Sequence, residues 1–114
     1  MGSPALPPHR SPSKAELRAL VEEATIDCHG ESEQVTGLYT VMEEALALPF
    51  RTSVLGVDVN VEKLDLTDDD QIVVVCRRER VRQRISVLEL PLPDPAPDGW
   101  RWIEAYRYWA RSWR

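Results

Sequence analysis

The sequence predicts an α+β domain in which two N-terminal helices and one C-terminal helix pack on a small antiparallel β-sheet. The spacing of apolar residues indicates this class. They recur every three or four positions before residue 48 and after residue 100, as in amphipathic helices, and they alternate in between, as in strands. A length of 114 residues, with 43% hydrophobic and 29% charged residues, is typical of one globular domain.

The first twelve residues differ in composition from the rest of the chain. They contain four of the nine prolines together with glycine and serine, a mixture that neither forms a helix nor buries apolar area. We therefore expect a flexible tail over residues 1–12 and a single domain over residues 13–114. The tail lacks the apolar core of a signal peptide, and no apolar run could span a membrane, so a cytoplasmic location without membrane contact is expected.

Two helices are expected in the N-terminal half. Ser13 and Glu16 form the pattern of a capping box, which predicts that the first helix begins here. Gly30 is expected to end that helix in the left-handed conformation. The second helix is expected between Ser32 and Pro49. Its apolar stripe consists of Val35, Leu38, Tyr39, Met42, Ala45 and Leu46.

Strands and a closing helix are expected in the C-terminal half. Valines alternate with polar residues over 57–62, which predicts a strand with one apolar face. Residues 71–76 and 82–88 predict two more strands, and four prolines over 91–97 predict an extended connector. We expect the aromatic stripe of the closing helix to pack in the core rather than to bind a ligand. This stripe consists of Trp102, Tyr106, Trp109, Ala110 and Trp113.

Acidic residues form three clusters that could supply oxygen ligands to calcium, which takes about 6 to 8 of them. The first cluster consists of Asp27, Glu31, Glu33, Glu43 and Glu44, and a helical hairpin would have to bring its two ends together. The second is Asp58, Asn60 and Glu62, and the third is Asp68, Asp69 and Asp70. None matches an EF-hand loop, and spacing alone favours solvated faces over a metal site.

Arginines concentrate between Arg77 and Arg84. The candidate partner-binding residues are Arg78, Arg80, Arg82 and Arg84, which would share one face of a strand. A net charge of −5 and the lack of interleaved aromatic residues disfavour nucleic acid as a partner. Ion pairs with the acidic half of the chain are the expected role, and docking of an acidic protein is the alternative.

Catalytic constellations are not evident in the sequence. The histidines are His9, in the expected tail, and His29, next to Cys28. Adjacent helical residues point about 100° apart, which does not suit a nucleophile and its base. There is no glycine-rich phosphate loop and no clear zinc-ligand spacing. We therefore expect a protein that is not an enzyme and has no catalytic residues.

The order of motifs between Asp27 and Trp113 is similar to that of a known family. These motifs are the acidic segment 27–33, the step Gly37-Leu38-Tyr39, the paired acids Glu43 and Glu44, the helix end Pro49-Phe50, and the segment 84–90. Together they resemble the cyanobacterial CcbP-type calcium-binding protein family. The resemblance implies helices packed on a compact antiparallel sheet or barrel, and calcium bound by surface carboxylates without an EF-hand.

The resemblance also implies a ligand set. Matched to the family pattern, the expected calcium ligands are Asp27, Glu31, Glu33, Glu43 and Glu44. Gly30 and Ser32 stand where the family often carries further acids, so fewer charges surround the site. We expect a non-EF-hand calcium-binding protein that acts as a cytoplasmic calcium buffer or sensor. The alternative is a metal-free interaction module that docks an acidic protein or nucleic acid through the Arg77–Arg84 hairpin.

Overall fold

Three helices and a four-stranded antiparallel sheet make up the computed structural model, which describes residues 11–113. The elements are α1 (Lys14–Ala24), α2 (Glu31–Ala45), β1 (Phe50–Val54), β2 (Val57–Leu66), β3 (Ile72–Arg78), β4 (Val81–Ser86) and α3 (Trp100–Trp113). The strand order is β1-β2-β3-β4, and the sheet is open rather than closed into a barrel. The predicted α+β class is confirmed. Of the predicted tail, residues 1–10 lie outside the described residues.

The two N-terminal helices are confirmed, but the turn between them differs from the prediction. Ser13 and Glu16 form both hydrogen bonds of the capping box that begins α1. The left-handed residue after α1 is Asp27, with φ of 62°, because aspartate tolerates this conformation better than most residues. Gly30 has φ of −114° and precedes α2 as its N-cap. The prediction that Gly30 ends α1 is therefore wrong.

α1 and α2 approach each other closely at Gly37. A Cβ atom at this position would lie 2.4 Å from the backbone carbonyl oxygen of Ala24 at the end of α1. Only glycine allows this separation, since it has no side chain. The contact orients α2 so that Leu38 and Met42 are completely buried in the core.

The sheet has a core face and a solvent face. Cross-strand partners share a face, and the register pairs Val61 with Cys76 and Val74 with Ile85 on the core face. The solvent face carries Arg77 opposite Arg82. The predicted alternation over 57–62 is confirmed, and a register shift between Val61 and Lys63 marks a bulge in β2.

After β4, the proline-rich connector crosses the helix side of the sheet from one edge to the other. The backbone N–H of Val87 donates to the carbonyl of Ile72 on β3 (3.0 Å). The hydroxyl of Thr52 on β1 donates to the carbonyl of Pro91 (2.6 Å). Residues 87–97, the crossover segment, thus form part of the layer above the sheet, and Leu90 is buried in the core.

α3 closes the core with its aromatic stripe. The rings of Tyr106 and Trp109 stack with centroids 5.9 Å apart, and both side chains are buried. The indole N–H of Trp109 donates to the side-chain oxygen of Gln34 on α2 (2.8 Å). The prediction that the stripe packs in the core is confirmed for these residues. The side chain of Trp113 lies outside the described part of the chain.

The helices and the crossover segment cover only one end of the core face. Near the β2–β3 turn, which we name the acidic end, Ile72 and Val74 are fully buried. At the opposite end, which holds the β1–β2 and β3–β4 turns and is named the hairpin end, Leu55 is 98% exposed and Val81 60%. Since β2 has ten residues, about 30 Å separate the two ends.

Candidate functional site

The five predicted calcium ligands lie in two separate groups. Glu31 and Glu33 are in the first turn of α2, and Asp27 lies in the turn before it. Glu43 and Glu44 are in the last turn of the same helix. Ten residues of α-helix separate the two groups by about 15 Å, so one ion cannot contact all five side chains. The helical hairpin does not bring the ends of the cluster together, because Glu43 and Glu44 lie at the end of α2 that is remote from the turn containing Asp27.

The structure instead joins part of the first acidic cluster to the third. Glu31 lines a pocket of about 90 Å³ together with Asp69 and Asp70 of the β2–β3 turn. We name it the acidic pocket. Tyr106 and Trp109 of α3 form part of its apolar wall. The sequence could not show this arrangement, since α2 and the β2–β3 turn meet only when the helix packs on the sheet.

Glu43 has a partner of its own at the far end of α2. The phenol of Tyr39 donates a hydrogen bond to its carboxylate (2.9 Å). Burial, this hydrogen bond and the negative charges of Glu43 and Asp65 together raise the pKa of Tyr39 to about 12. The Glu43 carboxylate is thus engaged in a helix-surface contact.

The arginine segment does not present one basic face. Arg78 pairs with Val81 across the β3–β4 turn and lies on the core face, whereas Arg82 and Arg84 lie on the solvent face. Arg80 lies in the turn itself. The prediction that these four arginines share a face is wrong, because the chain reverses between Arg78 and Val81 instead of continuing as one strand.

Solvent-face arginines form ion pairs with β2. Glu62 at the bulge forms ion pairs with Arg77 (3.5 Å) and Arg82 (3.6 Å). Asp65 pairs with Arg84 (3.0 Å). The expectation that arginines pair with the acidic half of the chain is confirmed for these three. Within residues 11–113, no carboxylate lies within 4.0 Å of the guanidinium groups of Arg78 or Arg80.

An apolar groove at the hairpin end was not predicted. It has a volume of about 380 Å³ and lies on the uncovered part of the core face. Its lining includes Val54, Leu55, Val59, Cys76, Val81 and Ile85, with Arg78 and Glu79 at one side. The alternation of valines in β2 pointed to an apolar face, but the end of that face left uncovered by the helices could not be predicted from the pattern.

Residues with metal-binding or nucleophilic chemistry are dispersed. Within residues 11–113, no group of three or more histidine, cysteine, aspartate or glutamate side chains is placed to hold a metal ion. Cys28 and His29 lie in the loop between α1 and α2 rather than on a helix, and His9 lies outside the described residues. Both cysteines are free, and burial raises the pKa of the Cys76 thiol.

Comparisons with known proteins give no relative. A scan against protein-family models finds no match, and searches of curated proteins and of solved structures find no significant match. In the described part of the chain, none of the helices combines the length and the apolar character needed to cross a membrane.

Proposed function

We propose that this protein is a non-EF-hand calcium-binding protein that acts as a cytoplasmic buffer or sensor, and that the ion binds at the acidic pocket. The observation that carries the proposal is the meeting of Glu31 with Asp69 and Asp70 around one cavity. The sequence resemblance to calcium-binding proteins supports it independently. Asp27 and Glu33 lie at the same end of α2 and add negative charge there.

The chemistry of the acidic pocket fits a hard cation. Glu31, Asp69, Asp70 and the amide of Gln71 offer oxygen ligands, and within residues 11–113 no histidine or cysteine lines the pocket. Such oxygen-only sets are what calcium prefers. The negative charges of these carboxylates repel one another. Glu31 and Asp69 are exposed, and the Asp69 carboxylate accepts a hydrogen bond from the Thr67 hydroxyl. A bound cation would relieve the repulsion and stabilise the folded state.

Calorimetry of the chelator-treated protein with calcium, and in parallel with magnesium, tests the proposal. The site variant is Glu31→Gln with Asp70→Asn, which removes two charges and keeps a side chain that tolerates the left-handed backbone at position 70. The matched control is Glu43→Gln with Glu44→Gln, which removes two charges from the other end of α2. We expect saturable calcium heat that the site variant loses and the control retains.

The two variants separate the possible failures. If the control loses calcium binding and the site variant retains it, the ion binds at the C-terminal end of α2 and the assignment to the acidic pocket is wrong. If the unsubstituted protein gives neither heat nor a change in melting temperature at millimolar calcium, the calcium function itself is wrong. Melting curves of each variant without calcium establish that both fold.

A further inference from the structure

We propose that the apolar groove at the hairpin end is a docking site for an acidic segment of another protein, which inserts aliphatic or aromatic side chains between the β1–β2 and β3–β4 turns. This inference does not depend on the calcium proposal, since the two sites lie at opposite ends of the sheet. It rests on three observations: an uncovered apolar surface, unpaired arginines beside it, and a leucine in an unfavourable backbone conformation.

The uncovered surface is concentrated rather than scattered. The large hydrophobic side chains most exposed among the described residues are Leu55, Ile26 and Val81, and two of these three border the groove. Single exposed apolar residues are ordinary, but a contiguous apolar patch on a small domain indicates a binding surface. A volume of about 380 Å³ is enough for a few side chains of a partner.

Charge identifies the kind of partner. Three arginines of this hairpin have carboxylate partners on the solvent face. Arg78, which lines the groove, and Arg80, in the adjacent turn, have none within residues 11–113. Carboxylates on a docked segment would pair with these two guanidinium groups. The planar guanidinium group is well suited to this, since it can donate two parallel hydrogen bonds to one carboxylate.

A second copy of this chain is a less suitable occupant. In a symmetric dimer through this face, each copy brings Arg78 and Arg80 but only one carboxylate, that of Glu79, into the same interface. The interface would therefore hold uncompensated positive charge, which disfavours association. An acidic partner supplies the missing negative charge.

The backbone conformation and the exposure of Leu55 indicate that this side chain has a role other than stabilising the fold. Both Leu55 and Gly56 have positive φ, 51° and 78°, in the β1–β2 turn. Such turns favour Asn-Gly, and a leucine in the left-handed conformation is disfavoured. Its side chain is 98% exposed and makes no compensating contact in the core. A leucine that destabilises the turn at the mouth of an apolar groove is explained if its side chain contacts a partner.

An array of short synthetic peptides that vary in Asp, Glu, Leu, Phe, Ser and Lys provides the probe, and fluorescence anisotropy measures binding of the selected peptides to the full chain. We expect selected peptides to combine carboxylates with Leu or Phe.

Two double variants test which side chains of the groove bind the peptides. Leu55→Ser with Val81→Ser should weaken the binding of the selected peptides at least about tenfold. Arg78→Gln with Arg80→Gln should weaken the binding of the same peptides and make it less dependent on salt concentration. Ile26→Ser and Arg18→Gln, at exposed positions elsewhere, are the matched controls.

A further variant separates binding from folding. Leu55→Asn should raise the melting temperature while it weakens peptide binding, a combination that a purely structural role for Leu55 does not produce. The proposal is overturned if no peptide binds above background, or if binding is insensitive to the Leu55 and Val81 substitutions. It is also overturned if sedimentation shows self-association that those substitutions abolish, or if single-stranded DNA binds through Arg78 and Arg80 in place of the peptides.

Discussion

Left-handed backbone conformations occur at four non-glycine residues within residues 11–113: Asp27, Leu55, Asp70 and Glu79. Aspartate adopts this conformation at little cost, since its short side chain can hydrogen-bond locally. Leucine lacks this compensation. The β1–β2 turn therefore contains a local conflict between residue type and backbone, and such conflicts concentrate at functional positions.

Replacing Leu55 by asparagine should increase the free energy of unfolding by about 1 kcal/mol, because asparagine is favoured before Gly56 in a turn of this kind. Urea denaturation followed by circular dichroism measures the change. Ser53→Asn, at an exposed strand position, is the control for adding an asparagine side chain and should show no gain. An unchanged or lower stability of the Leu55 variant would contradict the reading of this turn.

Tyr39 makes the stability of the folded protein change with pH in the alkaline range. Its pKa is raised from 10.0 to about 12 in the folded protein, so the folded state holds the phenol proton more tightly than the unfolded state. The resulting stability is fully present below pH 10 and is lost as pH rises towards about 12. Absorbance titration at the tyrosinate band should include an ionisation near pH 12 that is missing from the titration of Tyr39→Phe.

The matched test of the Tyr39 assignment is Glu43→Gln, which keeps a hydrogen-bond acceptor but removes a negative charge next to the phenol. Because that charge helps to raise the pKa, the high-pH step should move towards lower pH. Glu44→Gln should leave it in place. A Tyr39 that ionises near the ordinary pKa of 10.0 would contradict the half-buried, hydrogen-bonded setting.

At the scale of elements, one side chain of α3 holds the crossover segment. The guanidinium of Arg107 donates to the carbonyl of Val87 through Nε (3.2 Å) and Nη2 (3.1 Å), and to the carbonyl of Leu90. Both carbonyls belong to the non-regular backbone that follows β4. Arg107 therefore replaces the strand partner that these groups lack.

Arg107→Ala should lower the free energy of unfolding by about 2 kcal/mol, because it leaves two half-buried carbonyl groups without their charged donor. Arg107→Lys keeps the charge but not the planar set of donors and should recover only part of the loss. Glu104→Gln removes the ion pair at 3.1 Å and should cost less than about 1 kcal/mol. Equal losses in the Arg107→Ala and Glu104→Gln variants, measured by denaturant unfolding, would show that the ion pair is the main contribution.

The sequence predicts most elements because apolar periodicity and capping are local. The two residues of the capping box at Ser13 lie within a few positions of each other. The same holds for neighbouring residues of the helical stripe of α2 and of the alternation in β2. Where the outcome depends on contacts distant in sequence, the prediction fails. The sequence predicts that Gly30 ends α1, whereas in the structure Gly30 is the N-cap of α2, and Gly37 lies where α2 packs closely on the end of α1.

For the candidate sites, the same distinction applies. The calcium ligands were grouped by neighbourhood in sequence, whereas the acidic pocket joins Glu31 to a turn that lies more than thirty positions further along the chain. The alternation of arginines predicts one shared face only if the strand continues, and the pattern does not show that a turn interrupts it between Arg78 and Val81. A shift from continuous strand to hairpin changes which face each arginine occupies.

At the scale of the whole molecule, the described chain is elongated. The principal extents are 48 × 39 × 24 Å, and the radius of gyration of 14.7 Å exceeds the about 13 Å typical of this length. The excess length agrees with a sheet that extends beyond the helices at the hairpin end. The acidic pocket and the apolar groove thus lie at opposite ends of one continuous β2 strand.

We expect these two ends to act independently. Their separation of about 30 Å is several times the screening length of about 8 Å at physiological salt. Saturating calcium should therefore change the dissociation constant of a groove-binding peptide by no more than about twofold, as measured by anisotropy with and without calcium. A larger change would show that an ion at the acidic end alters the sheet itself.

The pairing of the first helix with the last one has a consequence for biosynthesis. α1 packs mainly against α3, so its chief partner is the final segment of the described chain to be translated. A nascent chain leaves the ribosome N-terminus first, and α1 therefore emerges with its apolar side uncovered. The strands pair with near neighbours and can assemble earlier. Completion of the domain therefore requires that α3 has been translated and has left the ribosome.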